Sequence, residues 1–297
     1  MKRMTDILLA LSFLLPLCSC DDAAPSSQPA DWNPSFSRSL GDEVRIVGRK
    51  NGAITFDRIL IPSSDGGMAV WKDNQRPDAG KVSASNEFIA FMPAGNHLPA
   101  YIEHDGETPY YMDYQTSKPE FFSMYALMSQ IKVHIWVEME KSGSQDYRVN
   151  NDGVLLYTRA EIDYPNRTLE NPSQRQRVSW GSFSQSDVTD GNGRHFLKLS
   201  NEKPLVVIPQ TVTADDELIW FSIGNAHYYF KPGSTIELKA GYLASITLHV
   251  TYEEEEDEET PSDSPTKKVI AVDKHTITIT PWEMGETYNE QVTTPDK

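Results

Sequence analysis

Residues able to do chemistry are few and scattered in this chain of 297 residues. It has two cysteines, Cys18 and Cys20, and seven histidines. Both cysteines fall within the first twenty residues, so a body trimmed of that segment has no thiol for a disulfide, a nucleophile or a thiolate metal site. His97 and His104 stand seven positions apart across turns, and His134 and His249 fall on the outward faces of alternating strands. Without Cys or patterned Asp beside them, they fit surface positions better than ligand positions. The segment 187–193 has acids only at Asp187 and Asp190 and lacks the closing Glu of a calcium loop. Seven consecutive acids at 253–259 lack the Gly turn that wraps carboxylates around a hard cation. There is no Gly-x-Ser-x-Gly elbow, no Gly-rich phosphate loop and no His-Glu-x-x-His. A carboxylate pair of the glycosidase kind depends on separation in space, which sequence hides. No catalytic residue, metal ligand or cofactor is assigned, and a non-enzyme is expected.

Two stretches bear on modification of the chain itself. Lys2 and Arg3 open a positive start, residues 7–17 form an apolar core interrupted upstream only by Asp6, and Leu17-Cys18-Ser19-Cys20 ends it. That ending resembles the bacterial lipobox, which implies cleavage between Ser19 and Cys20 and diacylglycerol on Cys20. The alternative is an ordinary secretory signal that contains two cysteines. Asp21-Asp22 directly after Cys20 resembles the surface-export signal of lipoproteins in the Bacteroides group. The second stretch is Arg49-Lys50-Asn51-Gly52, between apolar runs at 43–48 and 54–61. Asn-Gly tolerates the positive φ of a type I′ turn, so Arg49 and Lys50 are expected exposed at a hairpin tip, where proteases find backbone. Arg49 is the leading cleavage candidate, with Arg45 and Arg38 as alternates.

The elements that must position these residues read as strands. From 235 to 252 every even position is apolar, period two held for eighteen residues, with Gly241 the expected corner between two strands. Residues 131–139 alternate cleanly, and short strands are expected at 68–71, 87–92, 101–104, 110–114, 154–162, 177–180, 196–199, 205–208, 218–223, 227–230, 269–272 and 276–280. Residues 121–128 suit a short helix or a covered strand, and 187–192 reads as a loop. The segment 21–39, rich in Ser, Pro, Ala and Asp, reads as a flexible tether. A hydrophobic share of 38% and a mean hydropathy of −0.50 fit a soluble body. The formal charge is −16; losing residues 1–19 removes Lys2, Arg3 and Asp6, leaving −17. Such a chain is not expected to track nucleic acid, and it meets a membrane only through its lipid.

One set of pieces resembles a known family. Val207-Ile208-Pro209-Gln210-Thr211, Tyr229-Phe230, Ile236-Glu237-Leu238-Lys239-Ala240-Gly241-Tyr242 and Ile279-Thr280-Pro281-Trp282-Glu283-Met284-Gly285 look like the fimbrillin-like lipoproteins of the Bacteroidales, subunits of major and minor fimbriae. Phe88-Ile89-Ala90-Phe91-Met92-Pro93 and the strand at 131–139 fit in the same order. The resemblance implies an all-β chain of two tandem β-sandwich domains of transthyretin-like topology. On this chain these are 40–128 and 129–297, following a signal at 1–19 and a tether at 20–39, with an acidic loop at 253–265. It also implies a fibre assembled by strand donation after a protease removes the first strand following an arginine. The partners would be other fimbrial subunits, at the outer-membrane surface. The tail from 286 to 297 is polar, with Val292 its one aliphatic residue, which suits a tip, anchor or accessory subunit better than a stalk. The alternative is a non-polymerising surface lipoprotein that binds a host or bacterial glycan or protein, using some of Trp32, Trp71, Trp136, Trp180, Trp220 and Trp282.

Cys20 is expected to carry the acyl chains. Labelling cells with a palmitate analogue should mark the wild-type protein and leave Cys20→Ala unmarked; unchanged label on the variant would refute the lipobox reading.

Overall fold

The computed structural model describes residues 32–36, 43–63, 69–83, 86–139, 149–180, 183–223, 226–254, 267–281 and 290–292. The chain is all-β. Its first part forms β1 (Ser35–Phe36), β2 (Val44–Lys50), β3 (Ala53–Ile61), β4 (Val70–Trp71), β5 (Glu87–Met92), β6 (Tyr101–Glu103), β7 (Tyr111–Gln115), β8 (Phe121–Phe122) and β9 (Tyr125–Ala126). The rest forms β10 (Ser129–Met139), β11 (Val149–Asp163), β12 (Thr168–Val178), β13 (Phe183–Thr189), β14 (His195–Asn201), β15 (Leu205–Val207), β16 (Gln210–Val212) and β17 (Ile219–Ile223). It continues through β18 (Ala226–Phe230), β19 (Ile236–Leu238), β20 (Tyr242–Glu254), β21 (Lys267–Pro281) and β22 (Glu290–Val292).

A six-stranded antiparallel sheet runs β4-β3-β2-β5-β7-β9. A seven-stranded sheet runs β13-β14-β10-β20-β21-β22, with β15 also on β10 and a parallel pairing between β10 and β20. The third large sheet runs β12-β11-β17-β18 and gains β6 from the first half, which pairs with β11 at Arg159–Glu161. One core lies between the last two sheets. It contains Ile131, Val133, Ile135 and Val137 from β10, Leu156 from β11, Phe221 from β17, and Ile246 and Leu248 from β20. Alternating apolar residues on these strands therefore face each other, as period two requires of strands buried on one side.

The six-stranded sheet is different, because its middle is buried on both sides. Val44, Ile46, Phe88 and Ala90 enter a core with Trp32, Phe56, Leu60 and Trp71. Val47, Ile89, Phe91 and Met112 enter another, with Leu127, Met128, Ala160, Tyr164, Val206 and Ile208. This last core joins the first half of the chain to the second. Val44, Ile46, Val47, Phe88, Ile89 and Ala90 are all 0% exposed. Fully burying each larger aliphatic or aromatic side chain is worth roughly 1.5–3 kcal/mol, so β2 and β5 form the most heavily buried pair of this half.

The alternating stretch 235–252 breaks where the sequence suggests, since β19 ends at Leu238, β20 begins at Tyr242, and Gly241 has φ +77°. The apolar alternation lapses at the corner, where Ala240 and Tyr242 are exposed. Three expectations are corrected. Residues 121–128 are two short strands, each hydrogen-bonded elsewhere, because the segment crosses between sheets. Residues 187–189 belong to β13, where backbone pairing with β14 overrides the Asp and Ser composition, and the turn lies at Asp190–Arg194. The tether has a packed end: Trp32 is 3% exposed, its indole N–H donates to Pro119 O at 2.7 Å, and β1 pairs with β8. The expected signal and most of the tether at 1–31, the acidic loop at 255–266 and residues 282–289 lie outside the described residues.

Ile46→Ala is expected to cost about 2–5 kcal/mol in urea unfolding, the range for truncating a fully buried Ile, while Ile54→Ala, at a 58% exposed position, should stay within about 0.5 kcal/mol.

Candidate functional site

The candidate site is β2 with the turn that follows it. β2 lies between β3 and β5 and pairs with both, so its backbone donors and acceptors are used on both sides. Five of its seven residues, Val44 to Gly48, are buried. Gly48 lies against the Phe56 ring: a Cβ there would fall 2.2 Å from the ring carbon Cε1 and 2.6 Å from Cδ1.

Arg45 is 7% exposed and fully engaged. Its Nε donates to Ala94 O at 2.7 Å, one terminal nitrogen donates to Gly95 O at 2.7 Å, and the other pairs with the Asp57 carboxylate. The register sets this up, because Arg45 sits opposite Ile59 and Phe91 while Asp57 is opposite Val47, one strand over. A buried guanidinium needs such partners, since removing one side of a buried ion pair leaves an uncompensated charge. A protease reaches Arg45 only if β2 leaves the sheet.

Arg49 follows a register slip between Gly48 and Arg49, opposite Ile54 and Glu87. It is half-buried, and its guanidinium carbon lies 5.3 Å from the centroid of the Tyr164 ring, a cation–π distance. Tyr164 is held in turn by its hydroxyl, which donates to Pro99 O, and burial pushes its phenol pKa well above the ordinary value. Lys50, Asn51 and Gly52 are exposed, and Asn51 and Gly52 have φ of +52° and +79°, as the Asn-Gly turn requires. The exposure expected at this tip is thus met by Lys50, whereas Arg49 leans on Tyr164. Sequence gave no sign of that contact, because the two residues are far apart in the chain. Ser19, Cys20 and Arg38 lie outside the described residues.

Among the described residues the tryptophans form no exposed cluster, and Trp32 and Trp71 meet inside a core at 5.9 Å between ring centroids. Trp32, Trp71 and Trp180 are 2–3% exposed. Trp136 is on the outer face of the seven-stranded sheet, 5.4 Å from His249 and beneath Lys198. Trp220 is on the outer face of the β11–β17 sheet, with Arg177 at 3.8 Å above its ring and Tyr229 at 5.4 Å. Because both sheets put their other faces on the shared core, these two rings point away from each other and form no common platform.

Elsewhere, a cleft of about 630 Å³ is lined by Asp105, Glu107, Trp180, Glu202, Lys203 and Leu205. Asp105 is committed to its own turn, accepting the backbone N–H groups of Glu107 and Thr108 and the Thr108 hydroxyl. Burial pushes the His104 pKa down, partly opposed by the Asp105 charge; burial together with Lys132 and Lys198 pushes His134 down. Asp190 accepts the backbone N–H groups of Asn192 and Arg194 and pairs with the Arg194 side chain, so it serves a turn. Among the described residues no three of His, Cys, Asp and Glu converge as a metal site. No helix among them is long and apolar enough to cross a membrane.

No protein-family model matches the chain, and no curated protein matches it. Solved structures do. One is a candidate cell adhesion protein from Bacteroides ovatus, at 10% identity and a TM-score of 0.47, covering 88% of this chain and 100% of that one. Another, a candidate cell adhesion protein from Bacteroides uniformis, has 11% identity and a TM-score of 0.46, covering 80% and 94%. A fimbrial assembly protein from Parabacteroides distasonis has 8% identity and a TM-score of 0.36, covering 84% and 91%. The solved structures that this chain resembles are thus cell adhesion and fimbrial proteins of Bacteroidales.

Proposed function

We propose that this chain is a cell-surface fimbrial subunit or fimbria-associated adhesin, delivered to the outer membrane as a precursor by lipid on Cys20. It joins its partners by accepting a strand after proteolysis frees β2. The sequence resemblance motivates this reading, and one structural observation carries it: β2 is paired on both sides with five of its seven residues buried, yet it ends in a basic pair just before an exposed turn. A cut after Arg49 disconnects β2 and everything before it while leaving the remaining strands continuous. Its departure uncovers backbone amides of β3 and β5 and two apolar surfaces, which cannot stay open in water. A strand from another chain fills such a slot by β-augmentation. The slip at Gly48/Arg49 loosens the ladder next to the scissile bond. In this reading 40–128 and 129–297 are tandem sandwiches of transthyretin-like topology.

A tip, anchor or accessory position is preferred over a stalk position. The C-terminal strand β22 pairs with β21 of its own chain, Val292 opposite Ile277, so this part of the tail is used at home.

Treating the native protein with an arginine-specific protease should cut it between Arg38 and Lys50 and allow uptake of a partner strand. Replacing Arg49 and Lys50 by Ala should slow cutting within β2 at least about tenfold, because strand pairing protects Arg45, the other candidate in that strand. A wild type that is left whole, or is cut and never takes up a strand, would favour the non-polymerising glycan-binding lipoprotein instead.

A further inference from the structure

If β2 is the strand that leaves, as the proposed function holds, its replacement must meet the chemistry it leaves behind, and four neighbouring groups specify that chemistry. Val44 and Ile46 fill the core around Phe56, Leu60 and Phe88; Val47 fills the opposite core with Ile89, Phe91 and Met112. Three apolar side chains are therefore needed on both faces of one short strand, which the usual one-sided alternation of an edge strand does not supply.

The position of Arg45 is more selective. Without its guanidinium, Ala94 O, Gly95 O and the Asp57 carboxylate are three acceptors without that donor, at the floor of a slot that any incoming backbone covers. Covering them unpaired is costly, and covering a carboxylate without a cation more so. Asp57 makes an ion pair with Arg45 and is 31% exposed on its side chain, so the departure of Arg45 leaves this carboxylate without that cation. The acceptors lie along two different chain segments, and the planar fork of a guanidinium reaches all three, whereas an ammonium is a point donor.

Gly48 supplies the third requirement. A Cβ 2.2 Å from Phe56 Cε1 overlaps the ring itself, and Phe56 is 4% exposed and packs on Phe88, which stays with the cut chain, at 6.1 Å between ring centroids. Any side chain larger than Gly must displace the ring, so this position favours Gly.

We propose that the slot reads a strand of the pattern apolar, Arg, apolar, apolar, Gly, and that its occupant in an assembly is a different protein bearing that pattern. Arg followed by two apolar residues and Gly occurs in this chain only at Arg45-Ile46-Val47-Gly48. The other Arg-x-x-Gly runs, at 38–41 and 49–52, place Ser39 or Lys50 and Asn51 in between. In this sequence the pattern is therefore confined to β2, which in a second copy is paired in its own sheet. The selectivity is encoded in Asp57, Phe56 and the carbonyls of Ala94 and Gly95.

The test uses the full chain cut after Arg49, with fluorescent peptides spanning residues 32–49 added in natural sequence or as Arg45→Ala, Arg45→Lys or Gly48→Ala. Exchange against the retained fragment is followed by native mass spectrometry and anisotropy. The natural peptide should enter; Arg45→Ala and Gly48→Ala should each bind at least about tenfold more weakly, with Arg45→Lys between. Phe56→Leu in the cut chain should restore entry of the Gly48→Ala peptide, which a general loss of strand propensity would not do. Equal uptake of all four peptides would overturn the proposed selectivity and leave strand exchange standing. Entry by none of them would overturn strand exchange itself, and the selectivity with it.

Discussion

The structure of the first half depends on a single constraint, that β2 be covered on every side. Its backbone is paired to β3 and β5, and its side chains go alternately into two separate cores. Every other feature near it follows. Trp32 closes one of those cores from upstream of β2, and the other is closed by residues as distant as Tyr164 and Ile208. The stability of the seam between the halves is therefore linked to the presence of this one strand.

Burial on both faces also explains why an arginine belongs in the middle of it. A strand so enclosed has no solvent side, so a charged residue is tolerated only where the surrounding backbone and a carboxylate take every donor. The Ala94–Gly95 turn and Asp57 do that for Arg45. Arg49, two turns of alternation later, is near the end of the cover and uses the Tyr164 ring instead. The gradient from locked Arg45 through leaning Arg49 to exposed Lys50 places the accessible basic backbone just beyond the buried part of the strand.

How much of this was legible in the sequence differs by element. Clean alternation identified β10 and β20, because each has one face on a core and one in water, and the Asn-Gly pair marked the β2–β3 turn through its need for positive φ. Most of β12 was missed, because an exposed edge strand containing Pro172 and built of Glu, Ser, Gln and Arg carries no apolar signal. The end of β13, at 187–189, reads as loop from the Asp and Gly content of 187–192. At the candidate site, Arg45, Arg49 and the turn could be read from local sequence. Their partners could not, since Asp57, Ala94, Gly95 and Tyr164 are brought to them only by sheet pairing and core closure.

The central claim is that β2 is severed and replaced when the protein is in its working state. N-terminal sequencing of the chain recovered in assembled form from the cell surface addresses it most directly. The account predicts a mature N-terminus at Lys50, with a strand of another protein lying against β3 and β5; a chain that still begins at lipid-bearing Cys20, with β2 intact in its own sheet, would contradict it.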